Sequence, residues 1–171
     1  MMSSAARGVG GGLVSQTVRT LVVEDNPADA ELTAEHLHSG GDSLVVFEVA
    51  HVQTLAAANA WLDSNACDVV LLDLNLPDSQ GLETLRQLRG AQSTVVLSGG
   101  VDERLRLVAI EAGAVEVLSK AELGSRLFLL TVLYVVERNR AREQERRLAR
   151  VLDTTPDAIV VVGRTGEVRY L

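Results

Sequence analysis

The stretch DVVLLDLNLPDSQG, residues 68–81, decides the fold. Val69, Val70, Leu71 and Leu72 form an unbroken apolar run closed by Asp73, with a Pro-containing turn soon after. A strand that is apolar on both faces needs cover on both faces, the condition of a central parallel strand wrapped by helices. Outward from it, β-branched runs recur at VRTLVVED (18–25) and LVVFEVAHV (44–52) on one side, and at STVVLSG (93–99) and AVEVLSK (114–120) on the other. Stretches with helical spacing separate them: Pro27 to Ser39, Thr54 to Ser64, Gly81 to Arg89 and Asp102 to Ala112, with a fifth helix beginning near Leu123. Strands alternating with helices imply crossovers rather than hairpins. The expected fold class is therefore α/β, a doubly wound, five-stranded parallel sheet.

The 171 residues are 47% hydrophobic, enough for one domain with chain to spare. Their formal charge of −7 disfavours a chain built to coat nucleic acid or anionic lipid. The charge is uneven: residues 17–134 carry 7 basic and 17 acidic side chains, whereas residues 135–150 carry 6 Arg against 3 Glu. Cys67 stands alone, so no internal disulfide can form, and no Cys/His cluster has zinc spacing. With no secretory h-region and no apolar run long enough to span a bilayer, the expected setting is the cytoplasm, without a membrane. Fifteen of the 16 basic residues are Arg, and Lys120 is the only lysine. Arg replaces Lys freely on a solvated surface but not where a compact ammonium must enter a confined site.

In open parallel sheets, chemistry gathers at the carboxyl ends of the strands. There the first strand presents Glu24 and Asp25, the third Asp73 with Asn75 just beyond, the fourth Ser98 and the fifth Lys120. Crowded carboxylates repel one another unless a cation intervenes. Oxygen-only ligands favour Mg²⁺, which keeps several waters and accepts phosphate oxygens. A carboxylate beside such a metal can attack phosphorus and form an acyl phosphate, with the Lys120 ammonium and the Ser98 hydroxyl on the phosphoryl oxygens. Helix capping is the plainer explanation of strand-end polar residues, and it suits Asp25 or Asn26 ahead of Pro27. It suits Asp73 poorly, because LNLPDSQG follows that residue instead of a helix.

The motifs LVVEDNPADAEL, VVLLDLNLPDSQGLETLRQL, VVLSGG and GAVEVLSK, in this order and spacing, resemble the receiver domain of two-component response regulators. The resemblance implies a flavodoxin-like sheet of order 2-1-3-4-5. It makes Asp73 the phosphoacceptor, Glu24 and Asp25 the acidic Mg²⁺ pair, the Asn75 main-chain carbonyl a further ligand, Ser98 the switch hydroxyl and Lys120 the phosphate-pairing lysine. The implied partner is a histidine kinase or phosphotransfer protein, and the implied role is that of a self-phosphorylating and autodephosphorylating acceptor rather than an enzyme. Two positions depart from the family pattern: Ala121 stands where Pro usually follows the lysine, and Val117 where Tyr or Phe commonly stands. A degenerate receiver acting as a constitutive interaction or dimerisation module is the alternative.

The segment SRLFLLTVLYVVERNRAREQERRLARVLD lacks Gly and Pro and reads as one helix of more than six turns, a C-terminal extension of the domain. A heptad places Leu127, Tyr134, Ala141 and Leu148 on one seam position and Leu130, Glu137, Gln144 and Val151 on the other. This pattern allows a homodimer through the C-terminal helix or a solvated Arg/Glu connector. The last stretch, RVLDTTPDAIVVVGRTGEVRYL, is similar to the opening of PAS sensory domains. The expected organisation is a disordered tail (1–16), a receiver domain (17–136), a helical linker (137–152) and the truncated start of a PAS-like domain (153–171). The parent would then be a longer protein, one that could carry a kinase or cyclase.

Overall fold

The structure is a computed structural model that describes residues 16–41, 44–89, 93–154, 160–162 and 168–170, with side chains as far as residue 150. Its centre is the predicted run: β3 (Val69–Asp73) is buried at every position. It lies between β1 (Gln16–Val23) and β6 (Thr94–Ser98), with β2 (Val45–Val52) and β7 (Glu116–Ser119) at the two edges of a parallel five-stranded sheet. The order β2-β1-β3-β6-β7 is the expected order, once the two-residue strands β4 (Asn75–Leu76) and β5 (Ser79–Gln80) are passed over. Those two strands form a small antiparallel hairpin in what the sequence suggested was the end of the third strand and a loop.

Alternation along the strands feeds two cores. Val18, Val22, Val69, Leu71, Val95 and Leu97 face a layer containing α1 (Pro27–Gly40) and α5 (Arg126–Thr154). Leu21, Val23, Val70, Leu72 and Val96 face the opposite layer of α2 (Leu55–Ser64), α3 (Leu82–Gln87) and α4 (Glu103–Glu111). Each fully buried Val or Leu contributes about 1.5–3 kcal/mol of transfer free energy, so both faces of β3 hold the domain together.

Three boundaries differ from expectation. Gln16, placed in the tail, is the first residue of β1 and pairs in register with Val45. Residues 1–15 lie outside the described chain. The fifth strand ends at Ser119, and Lys120 opens a 3₁₀ turn over Lys120–Glu122 that is closed by a capping box: Ser119 Oγ accepts from Ala121 N, and Glu122 accepts from Ser119 N. The terminal helix starts at Arg126 instead of near Leu123 and continues unbroken to Thr154, a length of about 43 Å at the usual rise.

Phe128, Val132, Val135 and Val136 form the stripe by which α5 packs on the sheet, and residues 141–150 are all exposed. Arg140 secures the junction, donating to Thr17 O at 2.7 Å and meeting Asp68 Oδ1 at 3.2 Å, while Gln16 donates to Glu137. Leu127, Leu130, Tyr134 and Leu148 of the heptad seam are exposed. Val160–Val162 and Val168–Tyr170 pair as antiparallel β8 and β9, within the two strands expected there, and the intervening turn lies outside the described residues. Among the described residues no helix is long and apolar enough to cross a membrane.

Candidate functional site

Register brings the expected residues to one end of the sheet. Val23 pairs with Leu72, so Glu24 follows beside Asp73; Asp73 pairs with Leu97 and Ser98 with Ser119, so Ser98 ends β6 and Lys120 follows directly on β7 at the same edge. Glu24 and Asp73 are buried, with 3% and 8% exposure. Asp25 is exposed and the Asn75 side chain turns to solvent.

The ammonium of Lys120 occupies the middle of the cluster, 2.5 Å from Asp73 Oδ2, 2.6 Å from Glu24 Oε2 and 2.9 Å from Asp29 Oδ2. The other oxygens take backbone donors: Asp73 Oδ1 accepts from Asn75 N at 2.7 Å, and Glu24 Oε1 accepts from Asn26 N at 3.2 Å. Burial pushes the Glu24 carboxyl above its ordinary range and the charge of Asp73 adds to the rise, against the pull of the Lys120 hydrogen bond. For Lys120, burial favours the neutral amine, but the carboxylates of Asp73, Glu24 and Asp29 outweigh it and hold the ammonium well above the usual lysine range. Lys120 is thus charged at any physiological pH.

Ser98 stands at the edge of this cluster and is half-buried, with its hydroxyl donating to Gly100 O at 2.9 Å within its own loop. Capping at the start of α1 falls to Asn26, whose side chain accepts from Ala28 N at 3.0 Å ahead of Pro27; Asp25 is left at the strand end. Val117, at the position commonly aromatic, is fully buried against the α2–α4 layer.

Three groups were not anticipated. Asp29 reaches Lys120 from the first turn of α1, and the signal for it was an acidic residue in the first turn of a helix that begins at the functional edge. His51 places Nε2 2.7 Å from Glu24 O and steadies the strand end. Asp78, in the β4–β5 turn, accepts from Leu55 N and Ala56 N at 2.9 Å each and so ties that turn to the start of α2.

Among the described residues, no three His, Cys, Asp or Glu side chains are arranged to hold a metal unaided. Mg²⁺ does not require that many, since it is commonly held by one or two carboxylates plus waters and phosphate oxygens. The set is oxygen-only, and Glu24 Oε2 and Asp73 Oδ2 converge on one cation, the Lys120 ammonium. Burial, with the charge of Asp73 adding to it, raises the Glu24 carboxyl, and a divalent ion would offset both. The donor chemistry fits the ion.

A family model described as the response regulator receiver domain matches residues 20–130. The chain is 33% identical over 153 residues to the KDP operon transcriptional regulatory protein KdpE of Escherichia coli, covering 86% of this chain and 64% of that protein. It is 34% identical over 126 residues to a protein-glutamate methylesterase/protein-glutamine glutaminase of Anaeromyxobacter dehalogenans, covering 70% of this chain and 33% of that one. A receiver domain protein from Methanospirillum hungatei superposes with a TM-score of 0.62 at 22% identity, over 74% of this chain and 99% of its own. The chain spans 64% of the length of KdpE and 53% and 52% of the VirG regulatory proteins of Agrobacterium fabrum and Rhizobium rhizogenes, which it also matches.

Proposed function

Because the chain belongs to the response regulator receiver domain family, we propose that it is a phosphorylation switch whose acceptor is Asp73. The observation that carries the reading is the meeting of Asp73, Glu24 and the sole lysine at hydrogen-bond distance on the carboxyl edge of the sheet. A carboxylate oxygen of Asp73 attacks the phosphorus of a phosphohistidine on a kinase or phosphotransfer protein. The P–N bond breaks and its electron pair returns to the imidazole, leaving an acyl phosphate on Asp73. Mg²⁺, bound by Glu24, Asp25, Asp73 and the Asn75 carbonyl, would neutralise charge on the phosphoryl oxygens. Asn75 N–H orients the Asp73 carboxylate, Lys120 pairs with a phosphoryl oxygen and Ser98 exchanges its bond to Gly100 for another. The chain acts as acceptor and not as an enzyme on a separate substrate.

The organisation proposed is a receiver over 17–136, a helical linker over 137–152 and the start of a PAS-like domain from 153. The continuity of α5 from the sheet into its Arg-rich half supports relay of the signal along that helix. Exposed Leu127, Leu130 and Tyr134 supply a face through which two copies could pair. The cytoplasm, where histidine kinases present their phosphohistidine, is the proposed setting.

Incubation with radiolabelled acetyl phosphate and Mg²⁺ tests the acceptor. Wild type is expected to take up label that hydroxylamine removes, and Asp73→Asn to take up none. Equal labelling of the two would overturn the assignment, and an unlabelled wild type would favour the constitutive interaction module.

A further inference from the structure

An ammonium has three N–H donors, and that of Lys120 faces three carboxylates: Asp73, Glu24 and Asp29. The proposed chemistry claims two of them. Asp73 would become an acyl phosphate, and Glu24 is one of the residues that would hold Mg²⁺. Asp29 is different in origin and in fate. It comes from α1, 91 residues from Lys120 in sequence, and it does not belong to the metal set. Its side chain is 38% exposed, so water can reach one side of it while the other holds Lys120 Nζ at 2.9 Å.

We propose that Asp29 is the positioning residue for Lys120, the carboxylate that keeps the ammonium in the cleft while its other two partners are taken up by phosphoryl and metal. The proposal rests on Asp73 being the phosphoacceptor. A lysine stem has four rotatable carbons and, released from two partners at once, would disperse over many rotamers. Held by Asp29, it keeps one partner when the contacts with Asp73 and Glu24 are given up, and a freed N–H meets the phosphoryl oxygen that replaces the carboxylate oxygen. The ordering of the side chain is complete before the transfer begins, which is how preorganised groups lower a barrier.

The lone lysine makes the test direct, because the full chain gives a single lysine side-chain signal in a ¹⁵N correlation spectrum. In wild type that NζH₃⁺ signal should exchange slowly with water. Asp29→Asn should speed its exchange several-fold, and Asp29→Glu should restore part of the protection; unchanged exchange in Asp29→Asn would overturn the proposal. The second measurement is the initial rate of labelling by acetyl phosphate with Mg²⁺. Asp29→Asn should slow it about tenfold, as loss of orientation does, with recovery in Asp29→Glu. Placed in a Lys120→Ala background, Asp29→Asn should cost nothing further, since a residue that acts through the lysine has nothing left to position. A full additive loss there would overturn the proposal. The two readings fail differently: a labelled wild type with unaffected Asp29→Asn removes only the role of Asp29, whereas an unlabelled wild type removes the acceptor and the positioning together.

Discussion

Cys67 illustrates how far a single environment can alter a side chain. Its thiol sits at the entry to β3, donating to Val69 O at 3.1 Å. Burial pushes its pKa from 9.0 up to about 11. Since the thiolate is the nucleophile, its fraction at pH 8 falls about a hundredfold. Alkylation by iodoacetamide at pH 8 is therefore expected to be about a hundredfold slower in the folded chain than in urea, measured by mass shift against time; equal rates would mean an open, ordinary thiol. Residues of this kind, and those at strand ends, were legible in the sequence because position along one strand decides their surroundings. Glu24, Asp73, Ser98 and Lys120 could be assigned to one edge from strand pattern alone. Asp29 could not, because its partner is 91 residues away and α1 must be correctly rotated for the two to meet.

At the scale of elements, α2 shows a cap built from two directions. Thr54 Oγ1 accepts from Ala57 N at 3.1 Å, and Asp78 covers the two preceding donors, Leu55 N and Ala56 N. The bond from Ala56 N leads the interactions that hold the Asp78 carboxyl below its usual range. Asp78→Ala should then destabilise the chain by about 1 kcal/mol, the ordinary worth of a helix cap, read from urea unfolding at pH 7. A midpoint equal to wild type would mean that water replaces the carboxylate at no loss. The β4–β5 hairpin that presents Asp78 was not legible, since two-residue strands leave no periodicity to detect. The capping box Ser119-Lys120-Ala121-Glu122 did leave a signal, Ser followed three residues later by Glu, yet the apolar run before it drew the strand one residue too far. By contrast, the length of α5 was legible from 29 residues without Gly or Pro.

For the whole molecule, Asp68 joins three elements at the end of the sheet opposite the acceptor. Its carboxylate accepts from Arg19 N at 2.8 Å and Arg19 Nε at 3.1 Å, and it meets Arg140 of α5. Burial opposes the charge, but the hydrogen bonds from Arg19 and the charge of Arg140 prevail and lower its pKa. A folded-state pKa below the unfolded 3.8 means that the stabilisation is complete above that value and disappears as pH falls through the folded one. Asp68→Asn should cost about 1.5–3 kcal/mol at pH 7, the range for hydrogen bonds to charged groups. The gap to wild type should close as the pH falls below 3.8, as measured by urea unfolding across pH. A gap that persisted undiminished into strong acid would mean that shape, not charge, makes the junction. This long-range clamp was invisible in the sequence, where Arg140 belongs to an Arg-rich helix that gives no reason to single it out.

The sheet order has a mechanical consequence. Asp73 ends a strand with a hydrogen-bonded neighbour on either side, whereas Lys120 directly follows the edge strand β7, which is bound along one side only. A phosphoryl group on Asp73 would thus load a strand braced on both flanks, while β7, braced on one, has more freedom to give, together with the helix that follows it.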